Sequence, residues 1–125
     1  MREIKFRAYC HGKIWQVSSI NWLYFKTDLL LFDLEGYQLR EWLKNVDLMQ
    51  FTGLKDRNGA EIYEGDIIKH PSQQFLTNPP KIIRGIVEYK NNSFITNCIG
   101  WQTDFNKLEV IGNIYENPEL LEGGE

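Results

Sequence analysis

The two cysteines and two histidines of the sequence are the first candidates for metal binding and nucleophilic catalysis. They are Cys10, His11, His70 and Cys98, which by type could form a zinc site with two Cys and two His ligands. Paired zinc ligands are usually separated by about two to five residues, whereas Cys10 and His11 are adjacent. Adjacent side chains of a strand point to opposite faces, which also separates a Cys10 nucleophile from a His11 base. We therefore predict no metal site and no cofactor.

Carboxylates that could act in general acid–base catalysis are present, but they form no recognisable pair. The candidates are Glu61, Glu64, Asp66 and Asp104, and any globular domain offers such sets. No Ser lies in a Gly-flanked nucleophile turn, and the glycines at 53 and 59 are not followed by the Lys-Ser/Thr pair of a phosphate-binding loop. We expect no catalytic residues and predict that the protein is not an enzyme.

A basic and aromatic cluster near the N-terminus is the candidate for nucleic-acid binding. It consists of Arg2, Lys5, Arg7, Tyr9 and Trp15. Aromatic rings can stack on bases while neighbouring cations contact phosphates. The alternative is that Lys5 and Arg7 form the solvated face of a strand whose other face is apolar. We favour the alternative because 14 basic against 17 acidic residues give a net charge of −3, and general nucleic-acid binding needs clustered positive charge.

Strands are the elements expected to carry most of these residues. Residues 3–9 alternate apolar and polar side chains, which is the pattern of a half-buried strand. Aromatic residues make up 14% of the chain, and aromatic and β-branched residues favour strands. Further strands are predicted at residues 14–20, 29–34, 60–63, 67–70, 81–89, 93–99 and 107–111.

One short helix and one loop interrupt the predicted strands. Leu39, Trp42, Leu43 and Val46 have the spacing of one helix face, which predicts a helix over about residues 39–45. Residues 71–80 contain three of the four prolines and are predicted to form a flexible loop. Pro118 at a first helical position predicts one final helical turn over 117–120.

The segment from Leu48 to His70 contains the strongest local signals. Asn58-Gly59 suits the two positive-φ positions of a type I′ turn, and Gly65 supplies a positive φ in a second turn. Asp side chains near turns accept hydrogen bonds from local backbone N–H groups. The residues predicted to shape turns are Thr52, Gly53, Asp56, Asn58, Gly59, Glu64, Gly65, Asp66, Gly112 and Asn113.

Three blocks of the sequence resemble the YopX family of small bacteriophage and prophage proteins. They read MREIKFRAY at residues 1–9, LMQFTGLKD, NG and EIYEGDI within residues 48–67, and LEVIGNIYENPEL at residues 108–120. The family often has Trp where this chain has Tyr9. The resemblance implies an SH3-like β-barrel with additions. The family has no established activity, so no functional residues are transferred.

We therefore expect a mostly β chain that forms a single domain over residues 1–125. Its SH3-like barrel would span residues 48–115, and residues 1–47 would add N-terminal strands and the short helix. No apolar leader is visible, and no run approaches the roughly 18 apolar residues of a membrane span. We expect no membrane association, a location in the cytoplasm of the bacterial host, and free thiols at Cys10 and Cys98.

Aromatic content points to binding as the function. Four Trp and six Tyr residues exceed what a small core easily hides, and protein interfaces are enriched in both types. We predict a non-catalytic protein-interaction module that binds a protein partner or a second copy of itself. The alternative is a nucleic-acid-associated protein that uses the N-terminal cluster.

Overall fold

Antiparallel strands dominate the protein in the computed structural model, which describes residues 3–22, 26–74, 82–90, 93–96 and 105–121. The chain divides into two compact units, Met1–Phe51 and Thr52–Glu125. The described strands form two antiparallel sheets, which confirms the prediction of a mostly β protein. None of the helices in the described ranges has the length and apolarity that a membrane crossing requires.

The first unit is built on consecutive antiparallel hairpins. Its strands are β1 (Phe6–Cys10), β2 (Lys13–Trp22), β3 (Thr27–Phe32), β4 (Gln38–Trp42) and the first part of β5 (Asp47–Lys55). They lie in the order β4-β3-β2-β1-β5. Residues of β5 from Thr52 onward belong to the second unit.

Alternation along these strands places the core of the first unit on one face of the sheet. The pairs Ala8↔Trp15, Ile20↔Leu29 and Leu31↔Leu39 are in register, and directly paired residues share a face. The buried core contains Ala8, Cys10, Trp15, Leu29 and Leu31.

The helix predicted over residues 39–45 is wrong for most of its length. Residues 38–42 form strand β4, and only Leu43–Asn45 form a single 3₁₀ turn. Leu39 and Leu43 both pack against the core, but they do so as members of a strand and the turn that follows it. Pairing of β4 with β3 outweighs the weak helical pattern, because a helix this short depends on packing rather than on propensity.

The second unit contains the remaining strands. They are β6 (Glu61–Tyr63), β7 (Asp66–Gln74), β8 (Ile82–Lys90), β9 (Ser93–Thr96) and β10 (Glu109–Asn113). β6 lies beside the second part of β5, and the other four form a sheet in the order β10-β7-β8-β9. The buried core of the second unit contains Ile62, Ile68, Val87 and Leu108.

Two further predictions for the second unit differ from the structure. The described strands do not close into a barrel, so the SH3-like barrel is not confirmed. Residues 71–74 of the predicted loop belong to β7, and residues 75–80 lie outside the described residues. The predicted final turn is present as a 3₁₀ turn over Pro118–Leu121.

Candidate functional site

The connection between β3 and β4 is a turn whose backbone is fixed by one carboxylate. Asp33 Oδ1 accepts the backbone N–H of Glu35 and that of Tyr37, both at 2.9 Å. The Asp33 N–H donates to the Tyr37 carbonyl at 3.0 Å, which closes the loop. Gly36 has φ 92°, a conformation that costs glycine little. These hydrogen bonds fix the backbone of residues 33–37.

Lys13 anchors this turn to the start of β2. Its Nζ donates to Asp33 Oδ2 at 2.7 Å and lies 4.3 Å from the centroid of the Trp15 ring. The hydrogen bond from Lys13 is the main cause that lowers the pKa of Asp33; burial opposes it, and the N–H groups of Tyr37 and Glu35 add to it. The ionised Asp33 carboxylate therefore binds the backbone of its own turn through Oδ1 and the Lys13 side chain of β2 through Oδ2.

The anchored turn exposes apolar side chains. Leu34 is 98% exposed, Tyr37 66% and Phe32 36%. We call Phe32, Leu34 and Tyr37 the hairpin tip. Turn chemistry favours Asp33 and Gly36 but gives no reason for a leucine at position 34. These residues were not among the predicted site residues; the signal that could have identified them is an apolar residue inside an Asp-x-x-Gly turn.

Strand β4 continues from the hairpin tip along an edge of the sheet. In the strand order of the described residues it has a neighbour on one side only, β3. An edge strand presents a row of backbone N–H and C=O groups to any further strand. The exposed side chains of β4 are Gln38, Arg40 and Trp42. A partner that contacts the hairpin tip can therefore also pair with this edge.

The predicted N-terminal cluster is only partly assembled. Arg7 and Tyr9 lie on the face of β1 opposite Ala8 and Cys10. Lys5 precedes them, with Nζ 3.6 Å from Glu3 Oε1 and 4.9 Å from the Phe51 ring centroid.

Trp15, the second aromatic residue of that cluster, lies in the core. It is 7% exposed and its Nε1–H donates to the Cys10 carbonyl at 3.0 Å. Its ring therefore does not share a surface with Arg7 and Tyr9, because Trp15 pairs with Ala8 on the other face of β1. Arg2 lies outside the described residues.

Asp56 organises the turn that follows β5. Its Oδ1 accepts the N–H groups of Asn58 (2.8 Å) and Ala60 (2.9 Å), and its Oδ2 accepts the N–H of Val110 at 2.9 Å. The side chain is buried. Burial would raise the pKa of this carboxyl, but the three N–H donors and the charge of Arg57 outweigh it and lower the pKa.

The prediction of a type I′ turn at Asn58-Gly59 is wrong, and two consecutive residues with positive φ occur instead between β1 and β2. His11 (φ 51°) and Gly12 (φ 79°) have positive φ between β1 and β2, and His11 is the only described residue other than glycine with positive φ. At the predicted position only Gly59 has positive φ, at 83°. The Gly59 N–H donates to the Asp56 carbonyl at 3.0 Å. Five residues connect β5 to β6. Asp56 is the first residue of the turn that Gly59 closes, and Asp is favoured at this position of type I turns.

Thr52 and Gly53 lie within β5, before that turn. Thr52 Oγ1 donates to the Ile62 carbonyl at 2.7 Å and accepts the Leu54 N–H at 3.1 Å. Gly53 has φ 86°. The hydroxyl thus joins β5 to β6 where the backbone turns through a conformation that favours glycine.

Glu64 and Gly65 connect β6 to β7. The Gly65 N–H donates to the Val87 carbonyl at 2.8 Å, and Gly65 has φ 87°. Asp66, 1% exposed, accepts the Tyr63 N–H through Oδ2 at 2.8 Å. These contacts tie the turn to the sheet of the second unit.

Gly112 and Asn113 end β10. Asn113 Oδ1 accepts the N–H groups of Tyr115 (3.0 Å) and Glu116 (2.9 Å). Asn117 Oδ1 accepts the Asn113 N–H at 3.2 Å. A Cβ atom on Gly112 would lie 2.6 Å from Asn117 Oδ1, so a larger residue there would have to displace the Asn117 side chain.

His11 and Cys10 point to different environments. His11 Nε2 lies 2.9 Å from Glu41 Oε2, and hydrogen bonds from Asn45, His11 and the Trp42 N–H, in that order, lower the pKa of Glu41 to about 2. Cys10 is a buried free thiol whose pKa is raised by burial and by the charge of Glu41.

Within the described ranges, no group of three or more His, Cys, Asp or Glu side chains is placed to hold a metal ion. The His70 side chain and Cys98 lie outside the described part of the chain.

Comparisons with known proteins identify similarity in sequence and in fold. A family model described as YopX protein matches residues 5–122. This chain is similar to the crystal structure of protein EF1440 from Enterococcus faecalis, with a TM-score of 0.69 and 23% sequence identity. The match covers 98% of this chain and 100% of the EF1440 chain. At that identity the likeness shows the fold alone. No curated protein matches the chain.

Proposed function

We propose that this protein, which belongs to the YopX family, is a non-catalytic protein-interaction module. The observation that carries the proposal is the hairpin tip, in which Leu34 is 98% exposed on a turn fixed by Asp33 and Lys13. We further propose that it acts in the cytoplasm of a bacterial host as a phage or prophage protein.

An anchored turn lowers the cost of binding. Association is opposed by the ordering of loops and side chains, and a contact surface already held in place avoids part of that cost. Full burial of a leucine side chain contributes about 1.5–3 kcal/mol. Tyr37 adds a rigid amphipathic ring of a type enriched at binding hot spots. The free edge of β4 supplies backbone pairing beside both.

Site-specific photo-crosslinking in host cells tests this proposal. A photoreactive amino acid is placed at position 34, and in a matched control at position 54, because Leu54 is an exposed leucine (45%) of the second unit. We expect one discrete adduct from position 34, none from position 54, and loss of the adduct when Tyr37 is also changed to serine. Adducts that are equal at both positions, or absent from both, would refute the proposal. An adduct of twice the chain mass identifies a second copy as the partner.

The alternative function is nucleic-acid association, supported by Lys5, Arg7 and Tyr9, of which Arg7 and Tyr9 share one strand face. Light scattering at two salt concentrations, with single-stranded and duplex DNA, separates the two functions. A molecular mass that does not change when DNA is added favours protein interaction. A mass that increases with DNA at low salt, with an affinity falling linearly in log salt, favours nucleic-acid binding.

We also propose that residues 48–115 are a variant of the SH3-like barrel that the family resemblance implies. The support is that β6 to β10 all lie within this range and that β5 begins one residue before it, at Asp47. An experimental structure that includes residues 75–81 and 97–104 tests it. Backbone hydrogen bonds that close the strands into a barrel are the expected result, and two sheets with open edges would refute it.

A further inference from the structure

A cavity of about 440 Å³ lies where β3 begins and β4 ends. The described residues that line it are Lys26, Thr27, Trp42, Leu43 and Lys44. Sites for small molecules usually have volumes of about 300–1,000 Å³. The cavity is therefore large enough for a ligand well beyond the size of a single inorganic ion.

The polar groups that line the cavity are hydrogen-bond donors. Lys26 and Lys44 bring ammonium groups, Trp42 an indole N–H and Thr27 a hydroxyl. None of the described lining residues carries a carboxylate, and Lys44 has no salt-bridge partner among the described residues. In a chain with a net charge of −3, this local excess of positive charge favours an anion.

The acidic side chains next to the cavity in sequence are already engaged. Asp28 Oδ2 lies 3.5 Å from Arg40 Nη1. Glu41 accepts hydrogen bonds from Asn45 Nδ2 at 2.8 Å and contacts His11. Each carboxylate is therefore paired with a group that does not line the cavity.

The apolar part of the lining is flat and aromatic. Trp42 is 38% exposed, and Lys26 Nζ lies 5.2 Å from the centroid of its ring. We propose that the cavity binds a nucleotide, with the phosphate on Lys26 and Lys44 and the base against Trp42. Base–indole stacking and ammonium–phosphate contacts are the two interactions that this set of side chains supplies.

This proposal uses side chains other than those of the hairpin tip. Trp42 pairs with Asp28, whereas the tip residue Phe32 pairs with Gln38. Four residues of strand separate the two ends of the hairpin, a distance of about 13 Å. Loss of one binding activity would therefore leave the other to be measured.

NMR of the tryptophan indole N–H groups tests the proposal. Trp42→Phe identifies the Trp42 signal among those of the four tryptophans. We expect a saturable shift of that signal with adenosine monophosphate and at least tenfold weaker binding of adenosine and of inorganic phosphate. Lys44→Gln should weaken nucleotide binding about tenfold or more, the loss typical of a charge-assisted hydrogen bond. The matched control is Lys55→Gln, an exposed lysine of the second unit, which should leave the affinity unchanged.

Three results would overturn the proposal: no saturable shift of Trp42, equal affinity in the Lys44→Gln variant and the wild type, or inorganic phosphate binding as tightly as the nucleotide. A short 5′-phosphorylated thymidine oligomer distinguishes the source of the ligand. Tighter binding of the oligomer than of the mononucleotide indicates a nucleic-acid strand, and equal or weaker binding indicates a free nucleotide.

Discussion

Replacing Asp56 by alanine removes the acceptor of three backbone N–H groups in the second unit. One oxygen serves Asn58 and Ala60 within the turn, and the other serves Val110 on β10. The alanine variant leaves these donors without the carboxylate in a region where the side chain is 6% exposed. Asp56→Asn is a milder change, because one carbonyl oxygen remains while an NH₂ group replaces the other.

The expected loss follows from the number and type of bonds. A hydrogen bond to a charged group contributes about 1.5–3 kcal/mol, and an unsatisfied buried donor costs about 1–3 kcal/mol. Water reaches part of an opened turn, and the three bonds share one carboxylate, so their contributions do not add in full. We expect Asp56→Ala to lower the free energy of unfolding by about 3–5 kcal/mol and Asp56→Asn by about 1.5–3 kcal/mol.

The effect should depend on pH in one direction. The pKa of Asp56 is lower in the folded protein than its ordinary value, so ionisation favours the folded state. This stabilisation is complete above the unfolded pKa of about 3.9 and is lost as the pH falls through the lower folded value. The difference between wild type and Asp56→Asn should therefore be largest near neutral pH and shrink below about pH 4.

Denaturant unfolding and amide hydrogen exchange together measure these effects. Exchange protection should fall specifically at the N–H groups of Asn58, Ala60 and Val110. Asp47→Asn is the matched control, because Asp47 is an exposed aspartate at the start of β5, and its effect should stay within about 0.5 kcal/mol. A destabilisation by Asp56→Asn that is constant from pH 7 to pH 3, or unchanged protection of the three amides in Asp56→Ala, would refute the reasoning.

Two further predictions concern other hydrogen-bonded turns. Gly112→Ala should destabilise the protein by about 1–3 kcal/mol in urea unfolding, because the new Cβ would meet the Asn117 side chain; an equal cost in an Asn117→Ala background would show that this contact is not the cause. Asn45→Ala should raise the pKa of Glu41 from about 2 toward its ordinary value, and by more than His11→Ala does, because the Asn45 hydrogen bond is the largest cause of the lowering. An NMR titration of the Glu41 carboxyl carbon measures both shifts. The stabilisation from ionised Glu41 is present above its ordinary pKa of 4.5 and is lost as the pH falls toward 2. A larger rise of the Glu41 pKa in His11→Ala than in Asn45→Ala would contradict the assignment of Asn45 as the largest cause.

Turn residues were largely predictable because their chemistry is local. Gly59 and Gly65 have the positive φ that their sequence contexts indicated, and Asp56 accepts N–H groups two and four residues ahead. The type of turn was not predictable from the Asn58-Gly59 pair alone. The bond from Asp56 to Val110 involves a strand 54 residues away, which no local pattern specifies.

Elements that depend on tertiary pairing were harder to predict. Leu39 and Leu43 fit both a helix face and a strand that runs into a turn, and only the pairing of β4 with β3 decides between them. The same pairing creates the turn that exposes Leu34. The sequence marks Asp33 and Gly36 as turn residues, but it does not show that Lys13 anchors the turn from β2. The candidate site therefore required the strand order.

The two oxygens of Asp56 also differ in when they can act during synthesis of the chain. Asn58 and Ala60 follow Asp56 directly, so the turn can form within microseconds, the timescale of hairpin formation. Val110 follows 54 residues later, which at about 5–20 residues per second takes a ribosome roughly 3–11 s. During that interval only Asp56 Oδ1 has its backbone donors, because β10, which supplies the donor to Oδ2, has not yet been made.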